Sequence, residues 1–143
     1  MSSPPRAPIG RALRRTMQAF RIAAEAELAP LGMSLPLANA LIDLEEEDGI
    51  SSAELSRRVS VTAQTMTHLV SSLMERGLVE RRRHSSHGRI LTVHLTPAGR
   101  RVVTRCTAIS TGVERRMMRG FSMAERRRLL AVLERCADAL DAG

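Results

Sequence analysis

The sequence has no lysine, tryptophan or tyrosine, and Phe20 and Phe121 are its only aromatic residues. Proteins that hold single-stranded nucleic acid, and most that read RNA sequence, stack bases on aromatic rings. A chain this poor in rings has no such platform. Cysteine is scarce too: Cys106 and Cys136 lie far apart without metal-ligand spacing, which argues against a disulfide framework or a cysteine-held metal. No apolar run approaches the length that crosses a bilayer, and the N-terminal MSSPPRAPIG lacks the apolar core of a signal peptide. The expectation is a cytoplasmic protein with no membrane partner.

What the sequence does have is positive charge. All 22 basic residues are arginine, against 15 acidic ones, for a net charge of +7 and an isoelectric point near 11.3. Such an excess implies an anionic partner, of which nucleic acid is the commonest. Without rings to stack bases, double-stranded DNA is favoured over a single strand. At 143 residues, with 43% hydrophobic and 26% charged, the chain has the composition and length of one folded domain.

The pattern along the chain is mainly helical with one small β-hairpin. Residues 1–8 hold prolines and serines and read as a flexible arm. From Ile9 to Ala29, Leu13, Met17, Phe20, Ala24 and Leu28 recur at helical spacing. Pro30 and Gly32 stop that helix, and Ser34 caps a second one with a stripe of Leu37, Ala40, Leu41 and Leu44. The acidic run Glu45 to Asp48 has no histidine beside it and reads as a solvated helix end. Ile50 fits a very short strand. Ser51 begins a third helix to about Val59, with Glu54 placed to complete a capping box. Arg57 and Arg58 on it could meet phosphate or simply solvent.

Thr62 caps a fourth helix that runs to about Arg76, where Gly77 supplies the stop. Met66, Leu69, Val70 and Leu73 form its core face. Its outward face is unusual, because the first half carries short neutral hydrogen-bonding groups rather than paired charges. Thr62, Gln64, Thr65 and Thr67, followed by His68 and Ser71, can approach base edges and phosphates without holding the helix off the groove floor. These are the expected DNA-reading residues. A strand from Leu78 to Arg83, a polar turn from His84 to Gly88 and a return strand from Ile90 to Leu95 follow, with Leu91, Val93 and Leu95 as the expected core face. Arg81, Arg82 and Arg83 on the incoming strand and Arg89 beside the turn are the candidate backbone or minor-groove contacts.

Thr96 and Pro97 open a long helix to about Arg119 with Val102, Val103, Cys106, Ile109, Val113 and Met117 on one side. Ser122 and Glu125 form a capping box for a last helix, whose stripe of Leu129, Leu130, Val132, Leu133, Cys136 and Leu140 is broad enough for more than one neighbour. The flanking helices, about 9–29 and 97–141, carry more apolar surface than the central unit, about 50–96, can cover. A two-fold partner subunit is the expected solution, which would set two reading helices about 34 Å apart on a pseudo-palindromic site.

The stretch ELSRRVSVTAQTMTHLVSSLMERGLVERRRHSSHGRILTVHLTPAG resembles the winged-helix core of the MarR family of bacterial transcriptional regulators, most specifically in LMERGLVERR, the wing arginine and LTPAG. The resemblance implies a homodimeric repressor or activator whose DNA affinity falls when a small, often phenolic or aromatic, effector binds between its dimerisation and DNA-binding parts. Three departures stand out. The wing has His87-Gly88-Arg89 where an acidic residue usually sits two before the arginine, and His68 and Ser71 replace a common Arg and Asp. The first helix lacks the cysteine of oxidant-sensing relatives, so Cys106 and Cys136 are expected in the core. No nucleophile, base and orienting acid fall into a catalytic arrangement, and no cofactor or metal is expected, although His84, His87 and His94 share the hairpin. The alternative reading is a winged-helix interaction module that offers its basic surface to an acidic protein.

Overall fold

The computed structural model describes residues 6–84, 86 and 88–143. Most of the expected arm over residues 1–8 lies outside them, and Pro8 already opens the first helix. Among the described residues, six helices and three strands follow in the order α1 (Pro8–Leu28), α2 (Leu35–Glu46), β1 (Ile50–Ser51), α3 (Ser52–Val59), α4 (Ala63–Glu75), β2 (Val79–Arg83), β3 (Leu91–Leu95), α5 (Pro97–Met117) and α6 (Met123–Asp141), with a 3-10 turn at Ala29–Leu31 between α1 and α2. Every helix start after α1 is fixed by a hydroxyl cap: Ser34, Ser51, Thr62, Thr96 and Ser122 each accept a hydrogen bond from the backbone N–H three residues on.

The core gathers around α2. Leu41 and Leu44 of α2 are fully buried with Leu28 of α1, Leu55 of α3, Met66, Val70 and Leu73 of α4, Val93 of β3, and Val103 and Cys106 of α5. The three strands form an antiparallel sheet in the order β1-β3-β2, with Ile50 opposite Val93, Val79 opposite Leu95 and Arg83 opposite Leu91. Two glycines let this sheet close onto the helices. At Gly49, φ is +75°, and a Cβ would come within 2.8 Å of the His94 ring. At Gly99, in the first turn of α5, a Cβ would fall 2.0 Å from the carbonyl oxygen of Leu78. The second explains why the Thr-Pro-Ala-Gly start of α5 ends in glycine: the helix is laid directly on the backbone leading into β2.

Several expectations are corrected. Strand alternation placed Leu91 inside and Thr92 outside, yet Leu91 is exposed and Thr92 is buried. Leu91 lies at the outer end of the hairpin beyond the core, whereas Thr92 sits mid-sheet, its hydroxyl 3.2 Å from the Arg82 carbonyl and 2.7 Å from the His94 ring. Ile90 falls outside the strand. At the start of α3, Ser51 caps as expected, but the Glu54 carboxylate turns to Arg57 and Arg58 instead of closing a capping box. The acidic run is exposed at all four positions, as expected, but it is also engaged: Glu47 pairs with Arg58, and Asp48 accepts from the Leu95 N–H at 2.9 Å and pairs with Arg100 at 3.2 Å.

Cys106 is buried, as expected, and burial pushes its thiol pKa up. Cys136 is exposed. It lies on α6, none of whose residues is buried by this chain. Ile9, Leu13, Met17 and Ile22 of α1 are exposed in the same way. The total accessible surface is 10189 Å², against roughly 7,300 Å² for a compact monomer of 15.7 kDa. Most of the exposed large hydrophobic residues lie on the two terminal helices.

Candidate nucleic-acid interface

The helix-turn-helix is built by local chemistry. Helix α3 ends at Ser60, which adopts the left-handed conformation (φ 59°) and donates its N–H to Arg57. The Val61 N–H returns to the Ser56 carbonyl at 3.1 Å, and Thr62 at once caps α4. Met66, Val70 and Leu73 then bury one side of α4, which obliges the opposite side to face solvent.

All six residues proposed from sequence on α4 and its cap, Thr62, Gln64, Thr65, Thr67, His68 and Ser71, are exposed. The structure divides them into two kinds. Thr62 accepts from the Thr65 N–H and donates to the Thr65 hydroxyl at 2.9 Å, and Thr67 donates to the Ala63 carbonyl at 3.0 Å. These hydroxyls are partly spent on the helix itself, although the Thr65 proton stays available to a phosphate. Gln64, His68 and Ser71 make no side-chain hydrogen bond or ion pair among the described residues. At spacings of four and three they form one stripe on the helix surface. Such a stripe offers donors and acceptors to the edges of stacked base pairs.

The wing stands beside it. The His84 N–H donates to Ile90 at 2.8 Å and prolongs the hairpin past its strands, and the Ser86 N–H donates to His84 Nδ1 at 3.1 Å. Of the candidate arginines, Arg81 is half-buried on the Val93 face, and Arg82 is held by Glu80. Arg83 and Arg89, at the wing end, are exposed and carry no ion pair among the described residues. His87 lies outside the described residues. His94 packs under Gly49, bonds Thr92 and lies 4.0 Å from Asp48, so it braces the wing root. Among the described residues no group of three His, Cys, Asp or Glu side chains could hold a metal.

Sequence reasoning missed the braces around this surface. Arg58, open to either phosphate or solvent from sequence, is tied between Glu47 and Glu54, and the Glu47 hydrogen bond raises its pKa further. Arg57 is engaged by Glu54, whose carboxyl is held below its ordinary range first by that hydrogen bond. Asp48 joins the end of α2 to β3 and α5; the only advance signal was its place in an Asp-Gly turn.

A capped helix pair, a tight left-handed turn and a two-stranded wing with exposed arginines at its end define a winged helix-turn-helix protein. The profile of the MarR family matches residues 31–90. The HTH-type transcriptional repressor Rv2887 of Mycobacterium tuberculosis is 35% identical over 129 residues, covering 90% of this chain and 93% of that protein. The chain belongs to the MarR family. Its structure is similar to that of Rv2887 in complex with DNA (TM-score 0.73, 32% identity, 91% of this chain and 98% of that one). It is also similar to that of Rv2887 in complex with salicylic acid (TM-score 0.72, 35% identity, 91% and 96%). A probable transcriptional regulator from Pseudomonas aeruginosa aligns with a TM-score of 0.82 at 28% identity, covering 91% of this chain and 97% of that one.

Proposed function

We propose that the protein is a homodimeric, sequence-specific DNA-binding transcriptional repressor, released from its operator by a small-molecule effector. The observation that carries this reading is the exposed stripe of Gln64, His68 and Ser71 on α4, without side-chain partners among the described residues, set beside a wing whose Arg83 and Arg89 are exposed. In this reading α4 lies in the major groove, where Gln64 can bond adenine through two contacts. Thr62, Thr65 and Thr67 face the phosphates flanking the entry of α4. Arg83 and Arg89 grip the backbone or the neighbouring minor groove, Arg81 and Arg82 standing behind them.

A second copy completes the molecule. The exposed apolar residues of α1 and α6, and an accessible surface well above that of a compact monomer, support dimerisation through about 9–29 and 97–141. The single domain then spans about 9–143, with the reading head at about 50–96. A two-fold pair of α4 helices selects a pseudo-palindromic duplex. The salicylic acid complex of the mycobacterial relative supports an effector of similar kind, a small aromatic acid. Regulatory rather than catalytic relatives support a protein without enzymatic activity. No helix of the described residues is long and apolar enough to cross a membrane, and a cytoplasmic location fits work on chromosomal DNA.

The test is selection of bound sequences from random duplex DNA, followed by titration of the winner against a scrambled duplex at several salt concentrations. A specific complex with a steep negative salt slope is expected. Binding without base preference overturns it in favour of the module for acidic protein partners.

A further inference from the structure

Arg76 closes α4 at the end away from the reading stripe, about 18 Å along the axis from Gln64 at roughly 1.5 Å per residue. Its guanidinium reaches back across the chain to the connector after α1. Nη1 donates to the Gly32 carbonyl at 2.8 Å, Nη2 donates to the Leu31 carbonyl at 2.7 Å, and the Met33 sulfur lies 3.7 Å from Nη1. No carboxylate pairs with it among the described residues. The two carbonyls close the 3-10 turn that continues α1, where orphan acceptors and the negative helix end favour a cation. That turn is fastened to α1 in its own right, through the Met33 N–H to the Leu28 carbonyl at 3.2 Å and the Ala29 N–H to the Glu25 carbonyl, and the Gly32 N–H to Ala29 at 2.8 Å closes the turn internally. Leu28 is fully buried.

We propose that Arg76 is a positioning residue that locks the angle between the reading helix and the dimerisation arm, and so sets the half-site spacing the dimer accepts. This rests on the DNA-binding dimer proposed above. The planar fork is suited to the task, because two parallel N–H bonds to adjacent carbonyls fix direction as well as distance. One end of the lever is the α1 surface that carries exposed Leu13 and Met17; the other is α4 itself. A rotation of a few degrees between them displaces each reading stripe along its groove, and the two-fold axis doubles the error. Arg76 touches no base or phosphate in this arrangement, which separates it from Arg83 and Arg89.

The experiment uses the full-length protein and the duplex it selects, together with duplexes whose half-site separation is lengthened or shortened by one base pair. Wild type is expected to discriminate against the altered spacings by about tenfold or more. Arg76→Met, which keeps the stem and loses the fork, should bind the selected duplex about tenfold more weakly and shrink the spacing penalty to about threefold. Its salt slope should match wild type. Arg76→Lys, with one ammonium in place of the fork, should fall between the two, and it carries the same test if Arg76→Met does not fold. An unchanged spacing penalty in a folded variant overturns the proposal. So does a salt slope lowered by about 0.9 per protomer, the sign of a phosphate no longer neutralised. A wild-type protein that selects no sequence overturns the DNA reading itself, and the clamp with it; selection by wild type with spacing unaffected in the variants overturns the clamp alone.

Discussion

Replacing Gly99 with alanine adds a single methyl group where the fold has no room for it. The new Cβ would stand 2.0 Å from the Leu78 carbonyl oxygen, 3.0 Å from its carbon and 3.2 Å from Leu95 Cδ2. The first two are backbone atoms, so no side-chain rotation relieves the clash. The start of α5 must lift from the Leu78 segment. That strains the Thr96 N–H bond to Leu78 at 3.1 Å and the Thr96 hydroxyl bond to Gly77 at 2.6 Å. Overpacking of this kind costs up to about 3 kcal/mol, and weakening a backbone hydrogen bond adds about 1 kcal/mol. Better helix propensity returns about 1 kcal/mol. The net is roughly 3 kcal/mol, which for a domain of this size lowers Tm by about 6–12 °C. Circular dichroism melts measure it. Gly112→Ala is the control, since nothing lies within 4 Å of its Cβ, and it should hold or raise Tm. A Gly99→Ala protein that melts with wild type, or both variants shifting alike, would show that α5 does not start directly against the Leu78 backbone. Because Leu78 leads into β2 and Thr96 leaves β3, DNA affinity should fall even at temperatures where Gly99→Ala stays folded.

Arg89→Ala should weaken specific and random duplexes alike and lower the salt slope by about 0.9 for each phosphate that the side chain no longer neutralises; titration at several salt concentrations checks this, and unchanged affinity removes the wing from the interface. Asp43 gives a pH signature. Burial first, and Glu46 second, raise its pKa above the ordinary 3.8, while Arg58 opposes them. The folded protein therefore holds this proton more tightly than the unfolded chain, and stability from Asp43 falls as pH rises from 3.8 through the raised value. Asp43→Asn should raise Tm at neutral pH by a small amount, on the order of 1–2 °C. The gain should vanish in acid melts; a gain that persists there assigns it to something other than ionisation.

The parts of the molecule written in local chemistry were legible in the sequence. Ser34, Thr62, Thr96 and Ser122 marked helix starts because a hydroxyl cap needs only its own next turn. The outward face of α4 was legible for the same reason, since Met66, Val70 and Leu73 fix it by periodicity alone. What was hidden depends on interactions made across the chain. Asp48 looked like one of four solvated acids, and its bonds to Leu95 and Arg100 exist only once the hairpin folds back. Alternation misassigned Leu91 and Thr92 because the pleat says which residues share a face but not where along the strand the core ends. Cys136 was expected inside, yet it is exposed on α6, where none of the described residues is buried. Among the candidate DNA-binding residues, separating the engaged Thr62, Thr67 and Arg82 from Gln64, His68, Ser71, Arg83 and Arg89, which have no side-chain partner among the described residues, required the hydrogen-bond geometry.

The exposed stripe of Gln64, His68 and Ser71 on α4 is proposed to read bases in a duplex. The most direct measurement is parallel selection from random duplex DNA with wild type, Gln64→Ala and His68→Ala. Each variant should lose preference at one base pair in each half-site, placed symmetrically about the centre, with discrimination there reduced by about 1–3 kcal/mol and the other positions kept. Variants that select the wild-type sequence at every position would show that Gln64 and His68 read no base.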